Sequence, residues 1–400
     1  MKKKKLLLLG GLDVQIPFIL KAQELGYFVI TIDNIPNNAA HFHSDQYHNI
    51  DITDLRLVLA LAIKLNISGI SSYACEAGAL TSAYVSEKLR LSVNRYKSME
   101  YLSDKVLFRN LQNELSLPHP KFTNAFNLLD ALNFIDSTKG KFIVKPVDSS
   151  GSKGITKLNN NNPDTLISAI KKAKSYSKRN KIIIEQYIDR VGTIISGDCF
   201  IQNGKVNLFC FGDVYFNDRL NGLVPRSIAL PSSHSKDVIN SVIDQLNIIL
   251  DKLIIINGVF NLDVLVTKSG KGIILDIGTR NGGNLFNDII SLHTNVDIIK
   301  LTIEQTMGNK NVFCNDVHCK GFFAHNVLHS EKDGIFNGII FSKIIEPLII
   351  SKFITKRIGE PIFKFNDSSD RIGVIILKFS SKAQMNKLLN NIHQHIRIIT

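Results

Sequence analysis

The sequence predicts an α/β fold in its first part and an α+β fold in the rest: a doubly wound domain, a two-lobed region and a small C-terminal α+β domain. Near the N-terminus, short apolar runs alternate with helical patterns, as in a parallel sheet with crossover helices. Later, paired apolar runs flank Gly-containing turns, which is typical of hairpins. A length of 400 residues exceeds what one hydrophobic core usually serves. The predicted domains are residues 1–95, 96–312 and 313–400, with a lid subdomain at about 122–188.

The first domain begins with "KLLLLGG" as a buried strand, a helix that ends at Gly26, and "YFVITID" as the second strand. Asp33 ends that strand, where the ribose-binding acid of a dinucleotide site would lie. The first turn, "LGGLDVQ", lacks the G-x-G-x-x-G pattern, so we do not expect NAD to bind. Two further helices with a strand between them continue the alternation.

After the first domain the pattern changes. Helices are expected around "SDKVLFRNLQNEL" and "LLDALNFIDS", followed by the strand "KFIVKP", a polar loop, a helix and the strand "KIIIEQYI". Strands then dominate: one hairpin turns at Asn203 and Gly204, and a second, after a long helix, turns at Gly270. The last domain alternates short strands and turns before a final helix.

The composition is ordinary for a soluble globular protein, with 44% hydrophobic and 21% charged residues. A net charge of +13 raises the question of nucleic acid, but no zinc-finger, homeodomain or RNP-type pattern is present. The apolar run after Lys2–Lys5 is too short for a secretory signal, and charges interrupt the apolar segment 338–354. Five cysteines without framework spacing indicate reduced thiols. We expect a cytoplasmic protein that binds neither nucleic acid nor membranes.

The segment "KPVDSSGSKGI", residues 145–155, is a candidate phosphate-binding loop. Its Ser and Gly residues offer backbone N–H groups without bulky side chains, while Lys145 and Lys153 bring positive charge to both ends. Such a loop can fold over a triphosphate. It is not a Walker A sequence, and a solvated surface turn is the alternative interpretation.

The strand "IIIEQYI" is a candidate adenine-binding edge. From Glu185 through Gln186 to Ile188 it can offer a backbone C=O and N–H to a base, with apolar neighbours on either side of the ring. The alternative is an ordinary buried strand, and only the position of this segment after a Lys-bearing strand favours the binding interpretation.

Two carboxylates, Asp263 and Asp276, lie on the two strands of the second predicted hairpin. Because they are nearly equidistant from its turn, they can face each other across the strand pair. Facing carboxylates repel unless a cation lies between them, and Mg²⁺ is the hard cation that also binds phosphate oxygens. Two exposed acids near a turn are the alternative.

The turn "TRNGGN", residues 279–284, follows this pair directly. Arg280 and the neighbouring backbone amides can bind an oxyanion. Alone the turn would be unremarkable, and its proximity to a candidate metal ligand is what favours a functional role.

Taken in order, these features resemble the ATP-grasp superfamily, and the resemblance covers nearly the whole chain. The N-terminal unit resembles a preATP-grasp domain, and "KDGI", "IGEPI" and "DRIGVIIL" resemble the last domain of L-amino-acid-ligase and biotin-carboxylase-like members. Carbamoyl-phosphate-synthase-like enzymes belong to the same superfamily. The residues that carry the resemblance are Lys105, Lys145, the "SSGSKG" loop, Glu185, Asp263, Asp276 and Arg280.

The resemblance implies roles for these residues. Lys105 and Lys145 would bind the phosphates of ATP, Asp263 and Asp276 would hold Mg²⁺ or, as an alternative, Mn²⁺, and Arg280 would stabilise the transferring phosphoryl group. The loop that would close over the phosphates consists of Ser149, Ser150, Gly151, Ser152, Lys153 and Gly154, and the adenine-lining residues would be Glu185, Gln186 and Ile188.

Two departures from the family pattern concern the metal and the ribose. The family commonly has E-x-N-x-R where this chain has "DIGTR", so Gly278 replaces the usual Asn ligand. Ile194 falls where a ribose-binding acid is expected, which leaves Asp189 or Asp198 as substitutes.

By this resemblance we expect an ADP-forming ligase that joins a small amino-acid-like carboxylate to an amine through an acyl phosphate. The alternatives are a carboxyphosphate or carbamoyl-phosphate-type enzyme and a non-catalytic nucleotide-binding subunit. Arg226 and Asn284 are candidate substrate contacts, although a surface salt bridge is the alternative for Arg226. The oligomeric state is left open, with a homodimer as one option.

Overall fold

The structure is a computed structural model, and it describes residues 3–91, 94–124, 128–149, 151–159, 162–217, 219–220, 222–309 and 317–400. Within these residues no helix combines the length and the apolar character that crossing a membrane requires.

The N-terminal part is a four-stranded parallel sheet in the order β3-β2-β1-β4. The four leucines of β1 are fully buried. This strand pairs with β2 on one side and β4 on the other, as a central parallel strand does. The predicted doubly wound start is confirmed. The elements are β1 (Lys5–Leu9), α1 (Ile16–Glu24), β2 (Phe28–Ile32), β3 (Gln46–His48), α2 (Leu55–Leu65), β4 (Gly69–Ser71) and α3 (Ala79–Lys88).

A second sheet has four antiparallel strands in the order β5-β8-β6-β7. Two helices cover it with small and branched side chains, among them Ala131, Ile135 and Ala173, and together they form a separate core. We call these four strands the lid sheet, after the lid subdomain predicted at about residues 122–188, whose bounds stay a prediction. The elements of this part are α4 (Tyr96–Ser103), α5 (Lys105–Glu114), β5 (Phe122–Thr123), α6 (Leu128–Thr138), β6 (Phe142–Pro146), β7 (Thr156–Leu158), α7 (Pro163–Tyr176) and β8 (Ile182–Gln186).

The third sheet has eight strands in the order β13-β12-β9-β10-β11-β14-β19-β17. The hairpins predicted at Gly204 and Gly270 are present as the β9–β10 and β12–β13 pairs. The strands and helices from here to the C-terminus are β9 (Ile194–Gln202), β10 (Lys205–Phe216), β11 (Pro225–Leu230), α8 (Lys236–Leu253), β12 (Gly258–Val266), β13 (Gly272–Gly278), α9 (Phe286–Thr294), α10 (Ile298–Thr306), β14 (Phe322–Leu328), β15 (Gly334–Ile335), β16 (Gly338–Phe341), β17 (Ile349–Ile354), β18 (Pro361–Ile362), β19 (Gly373–Phe379), α11 (Lys382–Asn390) and β20 (Ile396–Ile399).

The large sheet runs across the predicted boundary between residues 312 and 313. Ser227 of β11 pairs with Asn326 of β14, so strands from both predicted domains form one continuous ladder. The division at residue 312 stays a prediction.

Alternating residues of the large sheet enter two different cores, because successive side chains of a strand point to opposite faces. Phe200 of β9 packs with Phe286 of α9 and with Phe18 of α1 in the first core. Its neighbour Ile201 packs in the second core with helices α4, α5 and α8, including Phe108. The sheet therefore joins the N-terminal unit on one side to the helices that carry part of the site on the other.

We predict that Gly197→Ala destabilises the protein by about 1–3 kcal/mol, the usual cost of overpacking. A Cβ on Gly197 would lie 2.1 Å from the backbone oxygen of Cys210 on the adjacent strand, and neither strand can move without breaking the ladder. Urea unfolding measures the change.

Gly283→Ala is the matched control, because a Cβ there has no neighbour within 4 Å. Equal unfolding midpoints for the two variants would contradict the close approach of β9 and β10 at this position.

Candidate active site

A cavity of about 990 Å³ lies where the lid sheet, the large sheet and the segment before α3 meet. The lining residues come from the first two predicted domains, and they carry charges of both signs. Its charged lining residues include Glu76, Lys105, Lys145, Lys153, Glu185, Asp263, Asp276 and Arg280. Most of the residues singled out in the sequence therefore converge on one space.

The two candidate metal ligands are direct partners in the β12–β13 ladder. Asp263 pairs with Asp276, and a bulge follows between Asp263 and Val264. Burial raises the pKa of Asp263; a hydrogen bond with Ser196 opposes this, and the negative charge of Asp276 adds to it. A cation held at this pair would remove the repulsion between the two carboxylates.

The donor set fits one hard divalent cation. Two carboxylates on adjacent strands supply oxygen ligands of the kind that Mg²⁺ prefers, leaving the remaining positions for phosphate oxygens and water. Gly278, two residues after Asp276, contributes no side-chain ligand. Across the described ranges no group of three or more His, Cys, Asp and Glu side chains is arranged to hold a metal ion.

Lys105 is positioned by the start of a helix. Asp104 caps α5 by accepting hydrogen bonds from the N–H groups of Val106 and Leu107, which fixes Lys105 as the first helical residue. Its Nζ donates to the Ser149 carbonyl at 3.1 Å and lies 3.1 Å from Oδ2 of Asp276. Burial favours the neutral amine, but Asp276, Glu76 and Glu185 together raise the pKa of Lys105.

Glu185 is buried between two cations. Its side chain is 1% exposed, accepting from Nζ of Lys145 at 2.6 Å and from Nε of Arg109 at 2.8 Å. Burial alone would raise the pKa of this carboxyl, yet Arg109 and Lys145 lower it to about 2. Both oxygens of the Glu185 carboxylate are thus paired with cationic side chains.

The other two candidate adenine-lining residues, Gln186 and Ile188, also line the cavity. The backbone N–H of Gln186 donates to the Lys121 carbonyl at 2.8 Å, so this donor serves the lid sheet.

Arg109 was not identified from the sequence, although it follows Lys105 by one helical turn. Its side chain is fully buried, and it also donates from Nη1 to Gln112 at 2.8 Å and from Nη2 to the Leu275 carbonyl at 2.7 Å. It therefore links α5 and β8 to the backbone beside Asp276. The one signal in the sequence is that Arg109 stands on the apolar face of an amphipathic helix.

The glycine-rich loop borders the cavity through Ser149, Gly151, Ser152 and Lys153. Gly154 lies just outside the lining; its φ of +72° and the 2.9 Å between a Cβ there and Pro146 make glycine necessary at this position. Ser150 lies outside the described residues.

The loop contacts the segment that precedes β11 and the C-terminal region. Ser152 donates from Oγ to the Leu223 carbonyl at 2.7 Å, and a Cβ on Gly151 would lie 2.5 Å from Ser368. In this conformation the loop bridges the lid sheet and the far wall of the cavity.

Arg280 lines the cavity beside an acid that the sequence did not indicate. Its Nε lies 2.8 Å from Oε2 of Glu76, which comes from the short 3-10 helix before α3, and its Nη1 donates to the Asn281 carbonyl at 3.1 Å. Burial lowers the pKa of Arg280, but Glu76, Asp198 and Asp263 together raise it.

Asp198 supports the turn that carries Arg280. Its oxygens accept from the Gly282 N–H at 2.9 and 3.0 Å and from Nδ2 of Asn261 at 2.8 Å, and burial raises its pKa to about 6. Neither Asp198 nor the exposed Asp189, which lies 3.4 Å from Lys141, lines the cavity, whereas Ile194 does. The ribose contact suggested for these acids has no support in their positions.

The two candidate substrate residues lie away from this cavity. Arg226 is 5% exposed, and its Nη2 donates to the Leu389 carbonyl at 2.6 Å. Asn284 accepts from Nη1 of Arg371 at 2.9 Å. Arg226 faces the opposite side of β11 from Pro225, which does line the cavity. The roles of Arg226 and Asn284 as substrate contacts stay a prediction.

Comparison with known proteins explains this arrangement: residues 102–284 match the family model described as "ATP-grasp domain". The chain contains an ATP-grasp domain. The matched region includes every candidate ATP- and metal-binding residue named above, from Lys105 to Arg280.

The ATP-grasp likeness extends to whole solved structures. The L-amino acid ligase of Bacillus licheniformis is similar with a TM-score of 0.81 and 16% identity, covering 100% of this chain and 99% of that one. The biotin carboxylase domain of the Hydrogenobacter thermophilus 2-oxoglutarate carboxylase, described in complex with MgADP, ADP and bicarbonate, has a TM-score of 0.76 and 14% identity, covering 100% and 91%. At such identities the likeness concerns the fold.

Among curated proteins, the carbamoyl phosphate synthase large chain of Caldanaerobacter subterraneus is 24% identical over 235 residues. The match covers 58% of this chain and 21% of the relative, so the chain spans about a fifth of that protein's length.

We predict that Arg109→Met lowers the free energy of unfolding by about 3–5 kcal/mol, because removing one cation leaves a buried carboxylate poorly compensated. The double variant Arg109→Met/Glu185→Leu removes both members of the pair, and it should lose less stability than the sum of the two single changes. Urea unfolding of both variants and of each single change forms a double-mutant cycle.

The control is Arg56→Met, since Arg56 is exposed on α2. A midpoint for Arg109→Met equal to that of Arg56→Met would refute the structural role of the buried pair.

We predict that Asp198 makes stability fall as the pH rises from about 4 to about 6. The folded carboxyl has a pKa of about 6 against an ordinary value of 3.8, so between these values the folded state binds more protons than the unfolded state. Relative to Asp198→Asn, the wild type should lose on the order of 3 kcal/mol across this window. Urea unfolding of both proteins at several pH values measures the difference, and a difference that does not change with pH would exclude the shifted pKa.

Proposed function

We propose that this chain is an ATP-dependent, ADP-forming ligase that joins a carboxylate to an amine through an acyl phosphate. The observation that carries this proposal is the convergence of Lys105, Lys145, Arg280 and the Asp263–Asp276 pair on one cavity of an ATP-grasp domain. Cations next to a carboxylate pair suit a triphosphate and its metal ion.

The phosphoryl transfer requires no side-chain nucleophile. A substrate carboxylate oxygen attacks the γ-phosphorus of ATP, the bond to the β–γ bridging oxygen breaks, and ADP leaves with that electron pair. Lys105 and Lys145 would bind the phosphate oxygens and Arg280 would stabilise the negative charge on the transferring group. Mg²⁺, or Mn²⁺ in its place, held by Asp263 and Asp276 would neutralise phosphate charge.

The second step forms the carbon–nitrogen bond. The amine attacks the acyl carbon, inorganic phosphate leaves, and the amine loses one proton. An acyl phosphate is hydrolysed by water, so the loop from Ser149 to Lys153 would act as a cover for the cavity during this step. The contact of Ser152 with Leu223 is one such closed arrangement.

An amino-acid-like substrate is favoured by the Glu76–Arg280 pair, which supplies the cavity with a carboxylate next to a guanidinium. A zwitterion needs both charges for its recognition. The fold similarity to an L-amino acid ligase supports the same substrate class.

A carboxyphosphate or carbamoyl-phosphate-type reaction is the second candidate. It is favoured by the sequence similarity to a carbamoyl phosphate synthase large chain and by the bicarbonate in the similar biotin carboxylase domain. A nucleotide-binding subunit without catalysis is the third candidate, and the Gly at position 278 favours it because the metal then has two carboxylates only.

We predict ADP release that depends on Mg²⁺ and on one acid and one amine from a matrix of amino acids, hydroxy acids and bicarbonate. Mass spectrometry then identifies the product. Dependence on bicarbonate would select the second candidate. ATP binding without ADP formation across the matrix would contradict both enzymatic proposals and leave the third.

Asp276→Asn should lower the rate of ADP release by about a hundredfold to a thousandfold, the typical loss for one electrostatic contact to a transition state. Asp244→Asn is the control, since Asp244 is an exposed carboxylate on α8. Wild-type turnover by a folded Asp276→Asn protein would remove Asp276 from the site.

A further inference from the structure

A second cavity, of about 450 Å³, lies behind β11 and shares no lining residue with the first. Strand alternation separates the two spaces: Pro225 borders the first cavity, and the next residue, Arg226, borders the second. The segment after β10, the turn after β14 and the last strand, β20, form its other walls. The proposed ligase reaction assigns no role to this space.

Positive charge predominates among the described residues that line the second cavity. Four of them are cationic, Arg219, Arg226, Lys332 and Arg397, against one carboxylate, Glu331. Glu331 lies 3.0 Å from Arg219, but these side chains are 38% and 57% exposed, so water screens that pair. Arg226 is deep in the wall, where its hydrogen bond to the Leu389 carbonyl fixes its orientation.

His329 also lines the second cavity, close enough to Arg226 for the positive charge to affect its pKa. Its Nδ1 donates to the Val327 carbonyl at 2.9 Å, and its Nε2 accepts from Nδ2 of Asn217 at 3.0 Å, an arrangement that suits the neutral ring when no anion is bound. Burial lowers the pKa of His329, and the charge of Arg226 lowers it further, while the Val327 contact and Glu331 oppose them.

His393 faces the cavity from the C-terminal side. Burial lowers its pKa, followed by the positive charges of Arg219 and Arg226, and Glu331 opposes this only in part. His395 adds a further small lowering. For two histidines from separate elements, burial is thus the main cause of a lowered pKa, and the nearby arginines add to it.

The remaining walls suit a small organic molecule. Ile392, Ile396 and Ile398 supply an apolar side, and Asn326 and Ser330 supply polar groups. The volume falls within the range of ligand sites, about 300–1,000 Å³. Guanidinium groups bind carboxylate and phosphate oxygens with two parallel hydrogen bonds, so the charged side suits an anionic headgroup.

We propose that the second cavity is a binding site for a small anionic molecule that carries a phosphate or a carboxylate group. The anion is held by Arg219, Arg226 and Arg397, and its negative charge favours the protonated forms of His329 and His393. This site is independent of the proposed ligase activity.

The test is histidine NMR on the full chain, with inorganic phosphate and acetate titrated in parallel. Saturable shifts of the His329 and His393 signals, and a rise of their pKa with bound anion, are expected with Kd in the millimolar range or tighter. A response to phosphate alone assigns the headgroup to phosphate, and a response to acetate alone assigns it to carboxylate. Glycerol, which is uncharged, should cause no saturable shift.

Arg219→Ala and Arg397→Ala should each weaken anion binding by about tenfold, the loss expected for one charged hydrogen bond. Arg219 and Arg397 are both exposed, so the fold should tolerate either change. Arg357→Ala, at an exposed position outside the cavity lining, should bind as the wild type does.

No saturable shift of either histidine by either anion at concentrations up to roughly 50 mM would overturn the proposal. So would affinities that are the same in Arg219→Ala, Arg397→Ala and Arg357→Ala. Because the readout is local to His329 and His393, anion binding in the first cavity does not imitate the expected result.

Discussion

The buried carboxylate of Glu185 holds together the parts of the chain that form the first cavity. It lies on β8 of the lid sheet, between Lys145 of β6 and Arg109 of α5. Taking three charges out of water is unfavourable unless each is paired and hydrogen-bonded, so this network is stable only when complete. Arg109 then extends it to the carbonyl beside Asp276. The position of the lid lysine and that of the candidate metal ligand consequently depend on the same buried group.

The same principle governs the charges that face the cavity. Lys105 is paired with Asp276, Lys145 with Glu185, and Arg280 with Glu76. A metal–triphosphate complex brings charges of both signs, so it can exchange partners with these pairs: a cation for Asp276, and phosphate oxygens for the lysine. Each of these three pairs therefore keeps a partner of opposite sign for its charges at both stages. Preformed pairs of opposite sign thus allow a highly charged ligand to enter a largely buried space without disrupting the fold.

The sequence predicted the features that depend on residues close together in the chain better than those that depend on contacts between distant segments. Periodicity and turn residues predicted the parallel sheet and the hairpins, and equal distances from the Gly270 turn placed Asp263 opposite Asp276, the register that the ladder has. The contacts of Arg109, Glu76 and Asp198 join segments far apart in the chain, which no local pattern reveals. For these residues the sequence gives the chemical group but not its partner.

Arg226 illustrates the remaining difficulty, because β11 was not among the predicted strands and the direction of its side chains had no local signal in the sequence. A change of one residue in strand phase moves a side chain to the opposite face of the sheet, and here it separates Pro225 in the first cavity from Arg226 in the second. The net charge of +13, which the sequence alone presents as a general excess of lysine and arginine, is therefore partly concentrated around a second enclosed space. Like charges gathered in one wall repel each other and, after burial, add to the lowering of the pKa of two histidines, so the cluster is unfavourable for stability by itself. An anion removes that repulsion, which is the physical reason to regard the second cavity as a site.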